Sequence, residues 1–268
     1  MRWFDLPAGR VRVFDSGGTL PCIVFTPDGP NVIEHHLPVL ALLRQDFRVI
    51  CFDMPGFGLS WPSAAYSHSL DQGAATVLQL MDRLAIDRAT LAFSCANGLY
   101  ALRVALRAPQ RVHSLFLAQT PSLAAMQAWA HKTVPGVLRV PVAGQLVGWA
   151  ARERAARSWY RQALPRDTDP EPFRGIARHA MRCGACFSLA GVVQGLLRES
   201  EASLRDVAAP CTVLWGNADR SHRATAPDAL RALVPHAQVI ESVDCGHFPD
   251  LEQPERYVAL LRAHLSRC

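Results

Sequence analysis

Short apolar runs of β type alternate along this chain with stretches in which apolar residues recur at every third and fourth position. That alternation restricts the possible folds more than any other feature. Residues 2–6 and 10–14 read as two short strands around Pro7-Ala8-Gly9, and residues 22–26 as a buried strand. Helical spacing follows at 32–43, then strand 47–52, and an amphipathic helix from a Ser69 N-cap to Leu84. Strand 90–94, helix 96–108 and strand 114–118 continue the series, which lapses between Pro121 and Asp206. It resumes with strand 211–215, a helix near 225–233, strand 237–242 and a last helix over 254–265. Eight strands alternating with helices predict an α/β domain: a mostly parallel sheet with helices on both faces. The core is residues 1–120 and 207–268. The mostly helical insertion at 121–206 is expected to cap the carboxyl edge of the strands.

Composition supports one large core, since half of the 268 residues are hydrophobic and 19% are charged. The net charge of +5 is not gathered into a basic run interleaved with aromatics, so nucleic acid is not an expected partner. Residues 1–5 begin no apolar signal core. The apolar stretch 134–151 is interrupted by Pro135, Pro141 and glycines, which argues against a membrane span. It reads instead as cap packing, or as an apolar lid over an acyl or aromatic substrate. Of the eight cysteines, Cys22, Cys51 and Cys211 fall in or beside strands, and Cys183-Gly-Ala-Cys186 lacks the second pair of a zinc site. Incidental thiols and a reducing, cytoplasmic setting are expected.

The chemistry concentrates at residues 90–99, where a β run turns straight into a helix. A side chain at such a corner stands proud of the sheet, at a helix N-terminus that favours negative charge. Ser94 and Cys95 are both nucleophile types. Downstream, Asp219 and His247 each follow a β run, where loops converge on the carboxyl edge. A hydroxyl or thiol needs an imidazole to take its proton, and the imidazole needs a carboxylate to hold its tautomer.

These residues lie in stretches that resemble the alpha/beta-hydrolase family. Asp53-Met-Pro-Gly-Phe-Gly-Leu-Ser60 is similar to its D-x-P-G-x-G-x-S turn. Trp215-Gly-Asn-Ala-Asp219 resembles its acid-bearing segment and Asp244-Cys-Gly-His-Phe-Pro249 its histidine-bearing one, in the family's chain order. Counting back from Ala101, Ala105 and Pro109, and forward from residues 84–90, the resemblance places the nucleophile at Cys95. Its box departs from G-x-S-x-G, with Phe93 and Asn97 where small residues stand. Ser94 at the corner would instead put Ala92 and Ala96 in those places. A Cys at this elbow is shared with dienelactone hydrolases and polyhydroxyalkanoate synthases. A helix N-terminus and an imidazole would lower its pKa, giving a standing thiolate.

The resemblance implies an oxyanion hole from the Ala96 N–H and a donor in the loop Asp28-Gly29-Pro30-Asn31. Pro30 has no N–H, so the second donor is Gly29 or Asn31. His35 and His36, a few residues on, read as solvated. The expected activity is acyl hydrolysis or acyl transfer on an ester, lactone or thioester through a Cys95 thioester, with no metal or organic cofactor. A lyase or C–C bond hydrolase working through His247 without an acyl-enzyme, and a non-catalytic binding protein, remain as alternatives. The cap arginines Arg152, Arg154, Arg157, Arg161, Arg166, Arg174, Arg178 and Arg182 read as a solvated face, or as a surface for an acyl carrier protein or coenzyme A thioester.

Overall fold

The computed structural model describes all 268 residues. β1 (Arg2–Leu6) and β2 (Gly9–Asp15) form the expected hairpin, and β2 also pairs antiparallel with β4 (Arg48–Phe52). From β4 the sheet is parallel through β3 (Cys22–Thr26), β6 (Ala89–Phe93), β7 (Val112–Ala118), β8 (Cys211–Gly216) and β9 (Gln238–Ser242). The eight expected strands are joined by a ninth, β5 (Trp61–Pro62), which pairs with β2. Two residues are too few to show a period.

Side chains of a strand alternate between faces, and both faces here are covered. Ile23 and Phe25 of β3 join the layer holding α1 (Ile33–Leu43) and α9 (Pro254–Leu265). Val24 between them joins the layer of α2 (Leu70–Arg83) and α3 (Ala96–Arg107). This double burial explains why the strands read as continuous apolar runs. The Ser69 hydroxyl accepts the Gln72 N–H at 3.3 Å and caps α2 as expected.

The insertion after β7 folds as α4 (Leu123–Thr133), α5 (Ala143–Ala163), α6 (Glu171–Arg182) and α7 (Ser188–Leu196). No helix is long and apolar enough to cross a membrane. The helix expected near 225–233 is only a single 3-10 turn at Ala229–Ala232. Pro227 fixes its own φ and offers no N–H there, which leaves too few residues for an α-helix. His35 and His36 are not solvated either. His35 is held by the Val32 N–H and the Phe173 carbonyl, and His36 lies 2.7 Å from Asp250 of α8 (Pro249–Glu252). His35 is buried under α6 of the cap, which supplies Phe173, and His36 under α8. All eight thiols are free.

Candidate active site

The corner after β6 belongs to Cys95. Its φ of 50° and ψ of −127° form the strained turn between strand and helix, while Ser94 still bridges to Ala118 in the sheet. A non-glycine residue held there costs about 1–3 kcal/mol, which the surrounding packing must offset. Phe93 meets that need from below: it is fully buried and packs edge-on against Phe52, ring centroids 6.3 Å apart. The bulk that looks awkward in the sequence therefore points into the core. Gly98 is required for another reason, since a Cβ there would lie 2.2 Å from the Thr120 hydroxyl oxygen. Thr120 donates that hydroxyl to the Cys95 carbonyl and so braces the elbow.

Loops after β8 and β9 bring the acid and the histidine together. Asp219 Oδ2 is 2.6 Å from His247 Nδ1. Asp219 is held rigidly: the Ser221 N–H and hydroxyl donate to Oδ1, and Gln119 Nε2 donates to Oδ2 at 2.7 Å. Gln119 in turn accepts the Gly216 N–H at 2.7 Å, tying β7 to β8 beneath the acid. Burial alone would raise the Asp219 pKa, but His247 and Ser221 hold the carboxyl well below the usual carboxylate range.

A second carboxylate, unforeseen as a participant, reaches the other ring nitrogen. Asp28 Oδ2 lies 3.0 Å from His247 Nε2. Burial disfavours the charged ring, yet Asp219, Cys95 and Asp28 outweigh it and lift the His247 pKa well above its ordinary value. Burial also raises the Asp28 pKa, against the pull of His247. The Cys95 thiol is driven up to about 11 by burial and by Asp28, despite His247 and the Ala96 N–H. The expected standing thiolate is therefore not the resting form. A carboxyl group lines the same cavity as the thiol, where the sequence suggested only an imidazolium.

The two candidates for the second oxyanion donor separate. The Asn31 N–H closes a turn onto the Asp28 carbonyl, and Asn31 Oδ1 accepts the Tyr160 hydroxyl at 2.8 Å. Gly29, Cys95 and Ala96 all line one cavity, whereas Asn31 does not. His222 is a further residue the sequence gave no sign of. It is buried, its ring centroid is 5.2 Å from that of His247, and its Nε2 has no partner. Burial drops its pKa to about 3, so it is neutral.

Cys95, His222 and His247 offer ligand atoms within 4.8 Å of one another, a nitrogen and sulfur set of the kind zinc accepts. Both His247 nitrogens, however, already meet carboxylates. An ion would have to displace Asp28, so the set does not fit a metal as it stands.

The cavity above Cys95 has a volume of about 450 Å³, and 22 of its 33 lining residues are hydrophobic. Met126, Trp129, Leu138, Met181, Val193 and Leu196 of the cap form much of its wall, with Asp28 and Cys95 at its floor. The stretch 134–151 contributes Val134, Pro135, Leu138 and Val147, so it does cover an apolar space. The cap is also fastened to the loops that carry Asp219 and His247. The carbonyls of Ala163 and Gln162, at the end of α5, accept the N–H groups of His247 at 2.8 Å and Arg220 at 3.1 Å.

A model of the alpha/beta hydrolase family matches residues 23–260. Among curated relatives, haloalkane dehalogenase 2 of Mycobacterium tuberculosis is 26% identical, covering 97% of this chain and 93% of the relative. The dihydrolipoyllysine-residue acetyltransferase component of the acetoin cleaving system of Pseudomonas putida is 31% identical, covering 98% of this chain and 67% of the relative. A pimeloyl-[acyl-carrier protein] methyl ester esterase of Nitrosomonas europaea is 28% identical, covering 89% and 96%. A crystal structure of a probable hydrolytic enzyme from Pseudomonas aeruginosa superposes with a TM-score of 0.81 over 98% of this chain and 93% of that one. At 21% identity it speaks for the fold alone.

Proposed function

Because the chain belongs to the alpha/beta hydrolase family, we propose that it cleaves or transfers an acyl group through a Cys95 thioester. The observation that carries this reading is the strained backbone of Cys95 at the floor of an apolar cavity, beside an imidazole that Asp219 orients at 2.6 Å. The esterase and the acetyltransferase component among its relatives are acyl-handling proteins by name.

The proton inventory assigns Asp28 a part. Asp28 Oδ2 lies within proton-transfer reach of His247 Nε2, at 3.0 Å. With the proton between them on Asp28, the carboxyl is neutral, the form that burial favours. His247 then accepts the Cys95 proton as sulfur bonds to the acyl carbon and the carbonyl π electrons move onto oxygen. The Ala96 N–H, with Gly29 as second donor, stabilises that oxyanion. An ionised Asp28 beside it would repel the charge, whereas a protonated one donates to it. Collapse expels the leaving group, which takes the proton from Nε2. Water, alcohol, thiol or amine then repeats the cycle on the thioester.

The position of Asp28 and the raised Cys95 pKa favour one other reading: acid–base catalysis by the His247–Asp28 pair with no acyl-enzyme, as in a lyase or C–C bond hydrolase. Incubation with a chloromethyl ketone, mapped by mass spectrometry, separates the two. Rapid adduct at Cys95, abolished in His247→Ala, is the expected result. No adduct, with turnover surviving in Cys95→Ala, would establish the acid–base reading. No adduct and no turnover, but saturable ligand binding, would leave a binding protein on the family's scaffold.

A further inference from the structure

The cap arginines divide into two groups. Arg174, Arg178 and Arg182 pair with Glu153 and Glu171, at 2.6 to 3.5 Å. Arg152 lies over the Trp149 ring, its carbon 5.2 Å from the centroid. These make up the solvated face that charge runs usually form. Arg154, Arg157, Arg161 and Arg166 behave differently. None has a carboxylate partner or donates a side-chain hydrogen bond, and all four line one cleft of about 590 Å³. Arg220, from the loop that follows Asp219, joins them across the cleft, its guanidinium turned toward the Arg161 and Leu164 carbonyls. The lining contains no hydrophobic residue and no acid; Ser158, Gln162 and Thr168 supply further donors.

Five uncompensated guanidiniums in one concavity repel one another, so the site is at its most favourable with a compact polyanion in it. A concave cleft suits a small molecule with clustered phosphates. An acidic protein would be met by basic residues spread over a convex face. The cleft's location identifies what the phosphates belong to. Arg154, Ser158 and Gln162 line both this cleft and the apolar cavity above Cys95. They lie one turn apart on α5, and the wall they form is about 12 Å long at the helical rise. An apolar acyl group in the cavity therefore has its leaving group directed along a row of arginines.

We infer that the cleft binds the phosphates of a small-molecule acyl carrier, and that the substrate is a thioester whose leaving thiol bears a nucleotide, of the coenzyme A type. This rests on the acyl-transfer reading of the cavity. The chemistry is that of the Cys95 cycle, in which the S–C bond to the carrier breaks and the carrier leaves as a free thiol bearing the Nε2 proton.

The experiment has two arms. Binding of coenzyme A itself to Cys95→Ala protein, followed calorimetrically, tests the cleft without chemistry. Binding should weaken about tenfold or more in Arg157→Gln/Arg161→Gln, and also as salt rises from low to physiological strength. Turnover is then compared for hexanoyl-coenzyme A and for hexanoyl-N-acetylcysteamine, the same acyl thioester without phosphates. The double variant should raise KM about tenfold for the first and leave the second unchanged. Absence of coenzyme A binding, or an equal change in both KM values, overturns the inference. So does turnover of a hexanoyl acyl carrier protein at a KM far below that of the coenzyme A ester. Turnover of the phosphate-free thioester without coenzyme A binding refutes the cleft alone. Coenzyme A binding without a Cys95 adduct refutes the thioester mechanism alone.

Discussion

Asp28 Oδ2 stands 3.0 Å from His247 Nε2, on the opposite side of the ring from Asp219, so a single buried imidazole separates two carboxylates. The residue that would deprotonate the proposed nucleophile is engaged by a carboxyl group, and that group lines the same cavity as Cys95.

Asp28→Asn removes the anion that helps raise the Cys95 pKa, so the thiol becomes easier to ionise. Iodoacetamide should alkylate Cys95 about tenfold faster at pH 8 in the variant, with the inflection of the rate–pH curve moved to lower pH. An unchanged profile would show that the two groups do not share a field. Acyl turnover should fall in the same variant, because a carboxyl that can carry a proton has been lost.

Gln119 acts through Asp219 and lies outside the cavity. Gln119→Ala should lower kcat by about 10- to 100-fold at unchanged KM, as expected when an orienting group is lost. Gln119→Glu sets a second carboxylate against Asp219. The acidic limb of the pH–activity profile should then move upward, which a merely structural role would not produce.

Val193 is buried in the cavity wall. Val193→Phe should shorten the accepted acyl chain, lowering kcat/KM for a hexanoyl thioester about tenfold or more while an acetyl thioester keeps its rate. Equal loss on both substrates would argue for collapse of the cap instead.

Four buried histidines set the acid stability of the fold. His35, His68 and His264 have pKa values lowered to about 4 and His222 to about 3, chiefly by burial. The unfolded chain binds more protons than the native one below the ordinary histidine pKa, so stability falls as pH drops from about 6.5 toward 4. Asp53, raised to about 6 by burial, opposes this in part. Asp219 is held low, so its contribution is present above about 3.9 and disappears only in stronger acid. The thermal midpoint should drop by about 5 °C or more between pH 7 and pH 5. A flat midpoint over that interval would contradict the assignment.

The centre of the sheet was legible because both its faces are buried there, which turns strands such as 22–26 and 90–94 into apolar runs. The elbow was legible through resemblance: counted as in the alpha/beta-hydrolase family, Ala101, Ala105 and Pro109 point back to Cys95, the residue at the N-cap of α3. Three features left no trace. Nothing in Asp28-Gly29-Pro30 tells which way the carboxylate turns, because that depends on His247, 219 residues further along the chain. His222 is followed by no pattern, and its burial comes from Trp129 of the cap, stacked on it at 4.8 Å. The arginines looked alike in sequence. Only the packing of α5 against α6 shows that Glu153 and Glu171 neutralise one group and leave the other bare.

The carbonyls of Gln162 and Ala163 hold the backbones of Arg220 and His247. A cover riveted at that corner cannot lift there without dragging the His247 ring with it. The other end of α5 is tied to α7 instead, where Gln194 Nε2 donates to the Leu138 and Val140 carbonyls. Movement of the cover at its Gln162 end and alignment of the imidazole are therefore one mechanical event.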